Sequence, residues 1–120
     1  MKYPSIEDAN FYKKINKIYH KYHIPEKKKT FKEICFPKKM QLQKPQEFLS
    51  KFMSPQTPYS GILIYHKIGS GKTLTAIMIA EEWKKYKNIV VLVPASLKGN
   101  FRNELRSKFT GEEYLKSSER

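Results

Sequence analysis

Seven consecutive residues, Lys67-Ile68-Gly69-Ser70-Gly71-Lys72-Thr73, combine glycines, a lysine and a hydroxyl in an order that can hold a polyphosphate. Gly69 and Gly71 open backbone conformations closed to other residues and let N–H groups come close to phosphate oxygens. Lys72 can reach the β- and γ-phosphates as a point charge. The Thr73 hydroxyl is the kind of oxygen ligand that Mg²⁺ accepts beside phosphate oxygens. All seven residues, Lys67 to Thr73, are therefore expected against a nucleoside triphosphate, with Thr73 on the metal. His66 stands where the strict pattern opens with glycine. The residues alone thus also admit a Gly/Ser turn leading into an amphipathic helix.

Such a loop works only between a strand and a helix, because the helix N-terminus supplies unpaired N–H groups and partial positive charge. The run Ile62-Leu63-Ile64-Tyr65 reads as a buried strand, and Leu74 to Trp83 favours a helix. Ile89-Val90-Val91-Leu92-Val93 reads as a second strand. Strand, helix and strand within about thirty residues predict a right-handed βαβ unit with parallel strands. Pro94-Ala95-Ser96 then closes the second strand at the edge where ligands of such sheets bind. A last helix is expected from Leu97 or Asn100 to Phe109, punctuated by Gly111.

Ahead of the first strand, Ser5-Ile6-Glu7-Asp8 looks like a helix start, and Phe11, Ile15, Ile18, Tyr19 and Tyr22 recur at helical spacing. This predicts one amphipathic helix ending before Pro25, its aromatic stripe facing a core rather than stacking on bases. Glu26 to Lys39 is a lysine-rich connector. Pro45 suits the first turn of another helix, with Phe48, Leu49, Phe52 and Met53 on its buried side and Pro55 and Pro58 ending it.

The chain has 120 residues, enough for one small domain. Its 24 basic and 11 acidic residues give a net charge of +13, so a polyanion such as nucleic acid is a plausible partner. Only Arg102, Arg106 and Arg120 are arginine, so a general lysine bias explains the charge equally well. One cysteine, Cys35, excludes an internal disulfide framework, and the N-terminus is unlike a secretion signal. No apolar run approaches the roughly twenty residues of a membrane span. An intracellular protein with no membrane segment is expected. His20, His23 and His66 share no ligand spacing with Cys35, so no metal constellation is read from them.

Three elements stand in a fixed order: Leu42-Gln43-Lys44-Pro45-Gln46, then Gly69 to Thr73, then Leu92 to Leu97 with Phe101 and Glu104 following. Together they resemble the start of a superfamily-2 helicase or Swi/Snf-type motor. The phrases Phe52-Met53-Ser54-Pro55 and Pro58 to His66 look like the helicase-like ATPases of large nucleocytoplasmic DNA viruses, the group of the poxvirus early transcription factor large subunit. His66 is not foreign to that group. The resemblance implies an α/β fold, the start of a P-loop, RecA-like parallel sheet preceded by a helical arm. It implies a lysine-rich arm over residues 1–40, the front of an ATP-binding domain over 41–110 and a polar tail over 111–120.

The same resemblance implies that Gln46 reads the adenine edge, that Gly69 to Thr73 hold ATP and Mg²⁺, and that Pro94, Ala95 and Ser96 grip the backbone of a nucleic-acid strand. It suggests contact with transcription machinery, in a virion or the host cytoplasm. Beside these roles, Gln46 could be an exposed helix residue and Ser96 an N-cap. The pattern departs from the family in one respect. The acidic pair that holds Mg²⁺ and orients water should end another strand, and the acidic pair after Ser96 here, Glu112-Glu113, follows no apolar strand. The second lobe, with its arginine, is not in this sequence either. The expected identity is the front of a motor whose remaining lobes lie in a longer or separate chain. The competing classes are a non-catalytic nucleotide or nucleic-acid adaptor and a small P-loop kinase.

Overall fold

The computed structural model describes residues 2–24, 42–67, 71–107, 110 and 114–115. Four α-helices carry the described fold: α1 (Phe11–Ile18), α2 (Lys44–Phe52), α3 (Lys72–Trp83) and α4 (Lys98–Leu105). Single 3₁₀ turns at His20–Tyr22 and Ala95–Leu97 follow α1 and precede α4.

The amphipathic N-terminal stripe makes a helix, but a shorter one than expected. Ser5 does not cap it; the Ser5–Asn10 stretch is a pair of turns in which Asp8 accepts from the Asn10 N–H at 2.9 Å. Asn10 is the N-cap, and the chain tightens at Tyr19 into the 3₁₀ turn. The second helix follows its sequence closely. Pro45 sits in its first turn, where its missing N–H costs nothing, and Leu49 and Met53 are buried with Phe48 and Phe52 half-buried beside them. Thr57 closes the far end by donating its hydroxyl to the Phe52 carbonyl at 2.7 Å.

These two helices meet through aromatic rings. Phe52 stacks on Tyr59 with centroids 4.4 Å apart, Phe11 and Tyr3 approach Tyr59 edge-on, and Tyr19 packs edge-on against Phe48 at 5.2 Å. Ile15, Met53 and Tyr59 are the buried centre of this cluster, with Ile79 of α3 against it. The Tyr59 hydroxyl donates to the Pro4 carbonyl at 3.0 Å, which satisfies the one polar atom such a ring brings inside. Burial pushes the Tyr19 hydroxyl up to about 12. The α1 stripe is therefore packing surface.

Helix α3 lies on α2 and buries Leu74, Thr75 and Ile77. Trp83 Nε1 donates to the Met53 carbonyl, and Lys51 pairs with Glu82 at 2.6 Å, so the C-terminal ends of the two helices are tied together. Tyr114, within the stretch read as a polar tail, donates to Glu81 on the same helix.

The expectation of an α/β parallel sheet is overturned. Among the described residues there is no strand, and Ile62 to Tyr65 and Ile89 to Val93 run without ladder partners. Leu63 is 90 % exposed, Tyr65 95 % and Leu92 92 %, whereas Ile89 and Val91 stand near 42 % and 45 %. The alternation has the period of extended chain with one side covered. A parallel strand needs hydrogen-bonded neighbours and cover on both faces. The described residues provide neither, so apolar composition alone does not make these runs strands. The final helix spans Lys98 to Leu105, with Phe109 and Gly111 outside the described residues, as are the connector with its lysine clusters and Cys35. No helix among the described residues is long and apolar enough to cross a membrane.

Candidate nucleotide site

Gly71 is the hinge of the site. It is the N-cap of α3 and has φ +74°, in the left-handed region where a Cβ meets the following carbonyl. Three donors converge on its carbonyl oxygen: the Thr75 N–H at 3.0 Å, the Thr75 hydroxyl at 3.0 Å and the Gln46 amide nitrogen at 3.4 Å. Thr75 is completely buried. Its role was not read from the sequence, although a threonine four residues into a helix commonly bonds back to the carbonyl one turn earlier.

Gln46 is buried rather than an exposed helix residue. Its amide works in two directions, the oxygen accepting from the Gln43 N–H at 3.0 Å and the nitrogen donating to Gly71. The first bond secures the start of α2, where backbone N–H groups lack helical partners. The second ties that start to the start of α3, across 25 residues of sequence. The N-termini of the two helices thus adjoin, and each carries partial positive charge.

A pocket of about 370 Å³ opens there, lined by Gln43, Pro45 and Gln46 from α2, by Tyr65, His66 and Lys67 from the chain approaching α3, and by Thr75. The Lys72 ammonium donates to the carbonyls of His66 at 2.9 Å and Lys67 at 3.4 Å. It has three donors, so one remains for an anion even in this arrangement. Thr73, half-buried, is the second residue of α3, and its N–H belongs to the first turn that no helical carbonyl satisfies.

Of the residues expected to bind nucleotide, the structure brings Gln46, Lys67, Gly71 and Lys72 together and places Thr73 next in the chain. Ile68, Gly69 and Ser70 lie outside the described residues. Pro94, Ala95 and Ser96 do not line the pocket; they form the exposed start of the turn before α4, closed by the Leu97 N–H on the Pro94 carbonyl at 2.9 Å. The N-cap of α4 is Leu97, not Ser96. Among the described residues no three of His, Cys, Asp and Glu converge on a common point.

The geometry makes a direct prediction for Gly71→Ala. A Cβ there would sit 2.4 Å from the Gln46 amide nitrogen, displacing it from Gly71, and the left-handed backbone itself costs alanine about 1–2 kcal/mol. A loss of roughly 2 kcal/mol corresponds to a melting temperature lower by about 8 °C in a chain of this length. Asparagine tolerates the left-handed region better, so Gly71→Asn should fall between the two. Equal melting of Gly71→Ala and the parent by circular dichroism would show that the hinge conformation is not required.

No protein-family model matches the chain, and no solved structure matches it either. Among curated proteins, one named "Putative ATP-dependent RNA helicase" from Acanthamoeba polyphaga mimivirus is 55 % identical over all 120 residues, which span 21 % of its length. A second mimivirus protein of the same description is 39 % identical over 88 residues, covering 69 % of this chain and 11 % of the relative. The "Early transcription factor large subunit homolog" of African swine fever virus is 38 % identical over 58 residues, covering 48 % of this chain and 5 % of the relative. The chain thus spans about a fifth of the length of the first of these relatives, and less of the others. It belongs to the superfamily-2 helicase-like proteins of large DNA viruses.

Proposed function

We propose that this chain is the ATP-binding portion of a nucleic-acid-dependent ATPase of helicase type, acting in viral transcription. Lys67 to Thr73 hold the triphosphate, with Lys72 on the β- and γ-phosphates and Thr73 as a ligand of Mg²⁺. The Gln46 amide meets the adenine edge from the mouth of the pocket, and Pro94, Ala95 and Ser96 contact the backbone of the strand. The relatives' names support the class.

The observation that carries the reading is the bond from Gln46 to Gly71, because it joins a base-reading candidate and the phosphate loop at one pocket. Mg²⁺ held by the Thr73 hydroxyl would neutralise phosphate charge there. The protein's part is to keep the left-handed turn at Gly71 and to exchange the Lys72 ammonium from the His66 and Lys67 carbonyls to phosphate oxygens.

Competition binding of ATP and GTP tests this. In the parent chain ATP should be preferred. Gln46→Ala should erode that preference by about 1–3 kcal/mol, the scale of a lost buried hydrogen bond, and weaken both nucleotides somewhat because Gly71 loses a donor. Unchanged preference in the variant would leave Gln46 a purely structural tie between α2 and α3.

A further inference from the structure

Helix α1 has two unlike faces. Phe11, Ile15 and Tyr19 turn into the aromatic core, while Tyr12, Lys13, Asn16 and Lys17 face solvent, continued by His20 and Lys21 in the 3₁₀ turn. Lys14 is committed to Asp8. Among the described residues no carboxylate stands within ion-pair distance of Lys13, Lys17 or Lys21. The described arm, residues 2–24, carries five lysines against Glu7 and Asp8.

Tyr12 is 80 % exposed, yet its ring is braced edge-on by Phe11 at 5.5 Å. An exposed, braced aromatic beside Lys13 and Lys17, which have no carboxylate partner among the described residues, and Lys21, whose ammonium lies 4.7 Å over the Tyr22 ring, combines a flat stacking surface with charge for a phosphate backbone. Lys13 and Lys17 stand four residues apart on α1, about 6 Å along its axis, and Lys21 follows in the 3₁₀ turn beyond it, so each can meet a different phosphate of one extended strand.

We propose that this solvent face of α1 binds single-stranded nucleic acid, with Lys13, Lys17 and Lys21 on phosphates and a base stacked on Tyr12. A membrane surface fits less well, because an interfacial helix lays an aliphatic face into lipid, and the apolar face of α1 is already spent on the core. An acidic protein would also satisfy the lysines, and failure to bind either oligonucleotide would point to it instead. The surface is separate from Pro94, Ala95 and Ser96, and it does not depend on the nucleotide pocket.

The test is fluorescence anisotropy with labelled oligo(dT) and oligo(U), titrated with the 120-residue chain across a salt series and without nucleotide. Each phosphate contact on a single strand contributes about 0.7 to the slope of log affinity against log salt. The double variant Lys13→Gln/Lys17→Gln should therefore flatten the slope by about 1.4, while Lys85→Gln/Lys87→Gln, exposed lysines beyond α3, should leave it unchanged. Tyr12→Ala should weaken binding about five-fold or more without altering the slope, since stacking carries no charge. All these positions are exposed, and circular dichroism will show that the helices persist. The better-bound oligonucleotide identifies the strand. Ultraviolet crosslinking of an iodouridine-containing oligonucleotide should label the peptide bearing Tyr12. Equal slopes in both double variants, an unaltered affinity in Tyr12→Ala, crosslinks only outside the arm, or no binding to either oligonucleotide would each overturn the proposal.

Discussion

Residues 1–120, purified and supplied with ATP, Mg²⁺ and single-stranded RNA or DNA, should release no phosphate above background. Binding and turnover depend on different groups. In the proposed function the loop and the start of α3 hold the ground state, but hydrolysis also needs a carboxylate that orients water and a cation that stabilises charge as the γ-phosphoryl leaves. Glu112-Glu113, the acidic pair following Ser96, comes after no apolar strand in the sequence, and it lies outside the described residues. The cation alone can contribute about 10³ to 10⁵ in rate, so a chain that binds ATP without these groups is catalytically silent. A malachite-green assay over hours is sensitive enough to decide. Steady turnover abolished by Lys72→Ala would contradict this and would require a catalytic carboxylate within these residues.

The helices of this chain were legible where local chemistry decides them. Pro45 at a first turn and Phe48, Leu49, Phe52 and Met53 on one face mark α2, and the structure places each as expected. The sequence reads as a helix from Leu74 to Trp83, and α3 starts two residues earlier, at Lys72, with Gly71 as its N-cap. Strand formation is different, because it depends on distant partners. Ile62 to Tyr65 and Ile89 to Val93 have strand composition, but a short apolar run cannot state what will pair with it. Their exposed side chains record that the partners are lacking among the described residues.

The residue types of the candidate site stand in the sequence, and their connections do not. Gln46 and the loop residues were each identifiable from the sequence, yet nothing local says that the Gln46 amide spans from the Gln43 N–H to the Gly71 carbonyl. Thr75 escaped notice because its hydroxyl acts on a carbonyl rather than on ligand. The central place of Tyr59 was equally hidden. Its partners Tyr3, Phe11 and Phe52 come from three separate stretches, and tertiary packing alone brings them to one ring.

The claim that matters most is that Lys67 to Thr73 bind the triphosphate of ATP, and Lys72 is its most exacting residue. In the structure its ammonium rests on the His66 and Lys67 carbonyls at the loop, so it needs only to exchange one set of oxygens for another to reach phosphate. A charge-assisted bond of this kind is worth about 2 kcal/mol or more, and Lys72→Ala should therefore weaken ATP·Mg²⁺ binding about thirty-fold. The side chain is exposed, so its removal leaves the core of α2 and α3 intact. Isothermal titration calorimetry of the parent chain and Lys72→Ala with ATP and Mg²⁺ is the most direct measurement. The account predicts measurable binding by the parent and a loss of that size in the variant; equal affinities would contradict it.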